Sequence, residues 1–171
     1  GAALTLLSSQ KQPFGLSLAA PCRFKDKMGS LNMMMDLRHD HDGLRRQMQE
    51  FAQLMAGAGP KDMPDLARRR IAFAQAFREH MGREDAVVQQ LRRRPLTPEA
   101  NQALREHGRA IVALFLRYSD HIKQWTPAQI DADWVGYRTA VLALQDGLRE
   151  RMAWEEKHLH PLLAGEVRKA A

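Results

Sequence analysis

The chain has 171 residues, of which 44% are hydrophobic and 27% charged, and this length suits one domain with a sizeable core. The formal net charge is +6. No apolar run approaches the roughly 20 residues that span a bilayer, so we expect a non-membrane protein, and a single cysteine fits the reducing cytoplasm. Nucleic acid is not an expected partner, because the arginine runs lack interleaved aromatic residues. The single cysteine, Cys22, excludes an intramolecular disulfide and a thiolate zinc site.

The first thirty residues differ in pattern from the rest. Their leucines alternate as in extended chain, and several residues interrupt helices: Pro13, Gly15, Pro21 and Gly29. We therefore predict an extended N-terminal arm over residues 1–30 and a helical domain over residues 31–171. Two interpretations of the arm stay open. It packs along the domain or on a neighbouring subunit, or Met28 is the natural start and residues 1–27 are a mis-assigned start.

Four segments after Met33 carry apolar residues at every third or fourth position, which is the spacing of an amphipathic helix. The breaks between them coincide with residues that end or start helices: Gly57, Pro60, Pro64, Pro95, Pro98 and Pro161. Residues 125–134 are expected to form a connection with a short helical turn. Short connections between helices of similar length predict an all-α fold, an antiparallel up-down-up-down four-helix bundle.

The apolar faces of these helices contain ionisable residues at positions where a bundle ordinarily places Leu, Ile, Val, Phe or Met. They are His41 on the first helix, His80 and Glu84 on the second, His107 on the third, and Arg151 and Glu155 on the fourth. At ~1.5 Å of rise per residue, they fall at one shared level. Burying an unpaired polar group costs about 1–3 kcal/mol and a charge costs more, so a bound metal ion is the expected compensation.

The spacing of His80 and Glu84 places both side chains on one helix face, one turn apart. The pair can bind one ion, or the carboxylate can bridge two. Imidazole and carboxylate suit first-row metals such as iron, manganese or zinc. A single histidine on such a face is more often a hydrogen-bonded core residue, but three histidines and two glutamates at one level favour a metal site.

The remaining histidines are interpreted as structural or solvent-facing. His121 lies ~21 Å along its helix from the shared level and is predicted to pair with Tyr118 near Arg70. His39 and His160 lie off the apolar faces and are expected to face solvent.

Four short motifs carry the ionisable residues. They are Asp40-His41, His80-Met81-Gly82-Arg83-Glu84-Asp85, Glu106-His107, and Trp154-Glu155-Glu156-Lys157-His158-Leu159-His160-Pro161. In this order they resemble the hemerythrin-like proteins with HHE cation-binding domains, whose fourth helix carries Glu-Glu-x-x-Leu-Phe-Pro. The resemblance covers about residues 34–165. It implies a four-helix bundle with non-haem iron that binds oxygen or another small diatomic ligand.

The resemblance also implies which residues hold each iron. In the family, one iron takes the histidines of the first two helices and two bridging carboxylates. The matching residues here are His41, His80, Glu84 and Glu155. The other iron takes histidines from the third and fourth helices, and only His107 remains, because Arg151 occupies the fourth-helix position. Either Arg151 fills the space of the missing iron beside a mononuclear site, or it pairs with the glutamates in a metal-free bundle.

The leading hypothesis is a hemerythrin-like non-haem metal-binding protein with an incomplete di-iron site and iron as the first candidate metal. It would sense or bind oxygen, nitric oxide or peroxide, or handle iron. The alternative is a metal-free degenerate bundle that regulates other proteins through its surface. An enzyme ranks third, and no catalytic residue is assigned. A homodimer is the expected assembly.

Overall fold

A computed structural model describes residues 22–163, and within that range every regular element is a helix. The helices are α1 (Cys22–Gly57), α2 (Met63–Arg92), α3 (Pro98–Gln124), α4 (Pro127–Ala132), α5 (Trp134–His158) and α6 (His160–Leu163), with a 3₁₀ turn at Pro60–Asp62. The all-α class is confirmed for the described residues. None of their helices is both long and apolar enough to cross a membrane.

Helix α1 starts earlier than the sequence pattern indicates. It begins at Cys22, so the extended conformation predicted for residues 22–30 is corrected to helix. Gly29 lies inside α1 without ending it, because one glycine costs a helix only about 1 kcal/mol relative to alanine. The rest of the predicted arm, residues 1–21, lies outside the described residues.

Side-chain caps fix where α3 and α5 begin, and therefore where their ionisable residues lie. The hydroxyl of Thr97 accepts a hydrogen bond from the Ala100 backbone at 3.2 Å at the start of α3. The carboxylate of Asp133 accepts one from the Gly136 backbone at 2.8 Å at the start of α5. Between these helices, α4 is the short helical turn predicted for residues 125–134.

The long helices pack around a core of three apolar clusters. Helix α1 packs against α2 and α5, and α5 also packs against α3. The site-end cluster lies at the end of the molecule beyond the predicted ligands His41 and Glu155. It consists of Leu37, Val87, Val88, Leu104, Leu159 and Leu163. The middle cluster is Leu44, Met48, Leu148 and Met152. The far-end cluster is Phe51, Met55, Leu66, Ile130, Tyr137 and Val141. Along α1 and α5, residues 41 and 155 fall between the site-end and middle clusters, so apolar layers enclose them on both sides.

Candidate metal centre

Five of the ionisable residues predicted for one level meet in the interior, and none is more than 7% exposed. We call this group the His/Glu cluster: His41, His80, Glu84, His107 and Glu155. It contains two sets of three ligand groups, and within each set the ligand atoms lie within 4.8 Å of one another. The sets are His41, His80 and Glu155, and Glu84, His107 and Glu155. Each set could hold a metal ion, and the two are adjacent because Glu155 belongs to both.

Carboxylates hold the outer ring nitrogens of two histidines. The Nδ1 atom of His41 lies 2.8 Å from Glu156 Oε1, and the Nδ1 atom of His80 lies 3.4 Å from Asp40 Oδ2. Because an ionised carboxylate only accepts hydrogen bonds, Nδ1 is the protonated nitrogen of each ring. In the neutral form of each ring, the lone pair therefore lies at Nε2, as in metal-binding histidines whose other nitrogen donates to a carboxylate.

The two Nε2 atoms face each other at 3.2 Å in the interior. Two lone pairs at this distance repel unless a proton or a metal cation lies between them. Burial, together with the nearby His41 ring, lowers the pKa of His80, which disfavours the proton. The Oε2 atom of Glu155 lies 3.4 Å from His41 Nε2 and adds a third donor. These three donors match what a first-row divalent metal prefers.

Arginines at the surface hold the two orienting carboxylates in place. The Nε atom of Arg83 donates to Asp40 at 2.8 Å, and the Nη2 atom of Arg45 lies 2.8 Å from Glu156. Burial on its own raises the pKa of Glu156, but His41 and Arg45 outweigh it and keep the pKa below its ordinary value. A carboxylate kept ionised in this way stays an acceptor for the imidazole.

Arg151 occupies the second set of ligands. Its Nε atom donates to Glu155 Oε1 at 2.6 Å, and its Nη2 atom donates to His107 Nδ1. Since a guanidinium only donates, the lone pair of His107 is engaged, and the proton of that ring lies on Nε2, 3.7 Å from Glu84. The guanidinium also lies 4.3 Å from the centroid of the Trp154 ring. Arg151 therefore takes the lone pair with which His107 would bind a metal.

Glu84 is the unpaired member of the cluster. It is fully buried, and neither of its carboxylate oxygens has a hydrogen-bond partner among residues 22–163. Burial and then the neighbouring Glu155 raise the pKa of Glu84 to about 8, against an opposing effect of Arg151. At neutral pH the carboxyl is therefore protonated unless a cation accompanies it. A buried acid without a hydrogen-bond partner, one turn along α2 from His80, fits a cation-binding site.

The pKa of Glu155 moves in the opposite direction. Its burial raises the pKa, but its contacts with His107, His41 and Arg151 outweigh burial and hold it below the ordinary value. The shared carboxylate is thus ionised whether or not a metal is bound. The two glutamates differ because Glu155 has several polar partners, Arg151 among them, whereas neither oxygen of Glu84 has a hydrogen-bond partner among residues 22–163.

The protonation of Glu84 predicts a pH-dependent stability. In chelator-treated protein, we expect the wild type to lose stability relative to Glu84→Gln as pH rises from 4.5 to about 8. The sign follows because the folded pKa lies above the unfolded one, so stability present at low pH is lost as pH rises through the folded pKa. Urea unfolding across this interval measures the difference.

The Glu84→Gln reference is needed because other groups titrate nearby. Burial lowers the pKa of His80 and of His160. The stability that depends on their neutral rings therefore has the opposite pH dependence and is lost as pH falls below 6.5. The Glu155 contribution is lost only as pH falls below 4.5. Equal pH profiles for the wild type and the variant would contradict a protonated Glu84.

His160 lies in the interior, and the expectation that it faces solvent was wrong. Its ring stacks on His41 with 5.1 Å between centroids, and neither ring nitrogen has a hydrogen-bond partner within the described part of the chain. Burial is the main cause that lowers its pKa to about 4, so the ring is neutral. The sequence pattern failed here because α5 ends at His158, and the helical register used to place residue 160 ends with it.

His121 is buried at the far end of α3, but its predicted partner is corrected. Tyr118 is exposed, whereas the ring of Tyr137 on α5 lies 5.7 Å from the His121 ring. Tyr137 also accepts a hydrogen bond from Arg70 Nη1 at 3.1 Å. Periodicity along α3 identified the buried histidine but not the residue of the neighbouring helix that covers it.

Asp40 and Glu156 had no assigned role in the sequence, although both stand in the motifs next to a candidate ligand. Their position next to a candidate ligand was the only sign of a role in the sequence. It would have paired each carboxylate with its neighbour in the chain, and the structure shows other pairs. Asp40 orients His80 of α2 rather than its neighbour His41, and Glu156 orients His41 of α1.

Comparisons of the chain with protein-family models, with curated proteins and with solved structures found no match. The likeness to hemerythrin-like proteins therefore stays a prediction from the motifs. The geometry of the His/Glu cluster is the feature that indicates a function for this chain.

Proposed function

We propose that this chain is a hemerythrin-like metal-binding protein that holds one first-row metal ion, with iron as the first candidate. The observation that carries the proposal is the pair of Nε2 atoms of His41 and His80, which face each other at 3.2 Å while carboxylates hold both Nδ1 atoms. Glu155 supplies the next donor, and Glu84, one turn after His80, supplies a carboxyl that lacks any other partner.

An antiparallel up-down-up-down bundle is the proposed architecture around this ion, and contacts at two levels support it. The first level is the His/Glu cluster. The second level joins Met55 of α1, Leu66 of α2, His121 of α3 and Tyr137 of α5. From the first level to the second, residue numbers rise along α1 and α3 and fall along α2 and α5. Alternating helix directions require this order.

Charge favours one ion over two. Arg151 already places a cation against the shared Glu155 and engages the lone pair of His107. A second divalent ion in the set formed by Glu84, His107 and Glu155 would lie beside that guanidinium, and like charges at such distances repel strongly in a buried site. Arg151 thus stands in for the second ion of a di-iron centre.

The residues around the ion have separate roles. Bound iron would supply redox chemistry and a position for a small diatomic ligand such as oxygen or nitric oxide. His41 and His80 would hold the ion through Nε2, while Asp40 and Glu156 hold their rings in orientation. A cation near Glu84 would favour its ionised form, so that the carboxyl would give up its proton to solvent. Since oxygen carriage in the family uses two irons, we propose sensing or iron handling instead.

One observation favours the alternative of a metal-free regulator. The ion pair between Arg151 and Glu155, together with a protonated Glu84, leaves the cluster without an uncompensated charge when no metal is bound. A bundle of this kind would be stable without an ion, and its function would then depend on its surface.

Metal analysis separates the two functions. We expect about one metal ion per chain in protein expressed with iron and kept from chelators, because one complete ligand set remains. Adding metal to the metal-free protein below pH 8 should release protons, because Glu84 has to ionise. A folded chain without metal would favour the regulator. A content near two ions would contradict the role given to Arg151.

A further inference from the structure

A large apolar cavity lies between α2 and α3, extending from the middle cluster towards the far end of the molecule. Its volume is about 670 Å³, within the roughly 300–1,000 Å³ typical of ligand pockets. Much of its wall is aromatic and aliphatic, including Met48, Phe51, Phe73, Phe77, Leu114 and Phe115. The cavity exists because α2 and α3 pack on α1 and α5 respectively, with Phe77 and Phe115 meeting across the gap at 6.4 Å between ring centroids.

The charged residues of the wall are unbalanced. Three arginines line the cavity, Arg69, Arg70 and Arg78, against one acidic residue, Glu50. Glu50 already lies 3.8 Å from Arg69. The wall therefore has an excess of positive charge in an otherwise apolar space, which favours an anionic occupant.

Arg70 is an arginine of this wall whose charge lacks a carboxylate partner within residues 22–163 and could hold an anionic group. It is half-buried, and within residues 22–163 its guanidinium hydrogen-bonds to the neutral Tyr137 hydroxyl, to which Nη1 donates at 3.1 Å, rather than to a carboxylate. The neighbouring His121 cannot balance the charge, because an imidazole is either neutral or cationic. Burial and the Arg70 cation both lower its pKa, which favours the neutral ring. A carboxylate partner stabilises a partly desolvated guanidinium. The planar donors of the guanidinium can form two parallel hydrogen bonds with the two carboxylate oxygens.

We propose that this cavity binds a free long-chain carboxylic acid, with the carboxylate on Arg70 and the alkyl chain along the aromatic wall. Such a molecule satisfies both features at once, since it carries one anionic group and a long apolar body. A neutral hydrocarbon would leave Arg70 unpaired, and a small anion would leave the apolar wall uncovered. The site is separate from the His/Glu cluster and does not depend on a metal.

Calorimetry with dodecanoate, below its micelle concentration, tests the proposal on the full chain. We expect dodecanoate to bind and neutral dodecanol to bind more weakly. Arg70→Gln should weaken dodecanoate binding by about tenfold or more, because a hydrogen bond to a charged group contributes at least a tenfold factor. Arg68→Gln is the matched control, since Arg68 lies on the same helix, is exposed, and pairs with Asp65. The affinity of Arg68→Gln for dodecanoate should equal that of the wild type.

Two further variants keep the outcome interpretable. Arg70→Lys retains the positive charge but lacks the two parallel donors of the guanidinium. Its affinity for dodecanoate should lie between those of the wild type and Arg70→Gln. Ala74→Phe partly fills the cavity and should lower the affinity for dodecanoate and dodecanol alike. Unchanged urea midpoints confirm that each variant is folded.

Two results would overturn the proposal. The first is dodecanoate affinity that is equal in the wild type and in folded Arg70→Gln. The second is a full-length chain that does not bind dodecanoate. If that chain is also a dimer that Phe115→Asp separates into monomers, the exposed apolar residues at the cavity mouth belong to an interface with a second copy.

Discussion

In the His80→Ala variant, metal content is expected to fall from about one ion per chain to almost none. His80 supplies one of the two Nε2 atoms that face each other at 3.2 Å, so its removal leaves a single imidazole in that set. Even the outer partners of metal-binding histidines contribute about 10–100-fold to metal affinity, and loss of a ligand should exceed this. Elemental analysis after desalting measures the loss, and zinc or manganese titration of the metal-free protein checks it.

His39→Ala is the matched control for this experiment, because His39 lies on α1 close to His41 in sequence and is exposed. Its metal content should equal that of the wild type. A His80→Ala protein that keeps its metal would contradict the proposed site.

Stability measured with and without metal adds a second readout for His80. If the two Nε2 atoms exist to hold a cation, the alanine variant removes their repulsion in the metal-free state. Its loss of stability should then be larger in the presence of metal than in its absence. A metal-free regulator would instead need His80 only as a packed core residue, and added metal would not change the difference between the variant and the wild type.

The Arg151→His variant is expected to gain a second metal ion per chain. An imidazole at this position removes the guanidinium from Glu155 Oε1 and from His107 Nδ1, and adds a donor next to both. The second ligand set, Glu84, His107 and Glu155, would then have its carboxylates and histidine free for an ion. Metal content near two ions per chain, against about one in the wild type, is the expected measurement.

The same variant should be less stable than the wild type when metal is removed. Breaking a buried ion pair by removing one partner costs about 3–5 kcal/mol, because the other charge is left buried and unpaired. Metal should restore the lost stability, because the second ion replaces the guanidinium charge. Arg149→His is the control, since Arg149 pairs with Asp146 and lies outside the His/Glu cluster. A variant that gains no metal would mean that position 151 does not face a second metal site.

The spacing of apolar residues was enough to place the five cluster residues at one level. The reason is that helix geometry is regular, so distances along four helices of known start and end translate directly into heights. Prolines and caps marked those starts, as Thr97 does for α3. The same regularity explains the error at His160, where α5 had already ended and the rule no longer applied.

The spacing of residues could not predict which glutamate pairs with Arg151. The charge of Arg151 required a carboxylate, and either Glu84 or Glu155 met that requirement from spacing alone. The structure places the guanidinium on Glu155 and His107, which leaves Glu84 without a partner. The difference depends on side-chain rotamers and on the exact position of each helix along its axis, and sequence periodicity specifies neither.

From its sequence alone, this chain is determined to be a set of amphipathic helices with histidines and glutamates on their buried faces, because periodicity and residue type are local properties. Only the tertiary structure decided which lone pairs converge, which carboxylates orient them, and that an arginine-lined cavity lies between α2 and α3. Those features arise where side chains from helices far apart in sequence meet. Their energies depend on distance and burial, which exist only once the helices have packed.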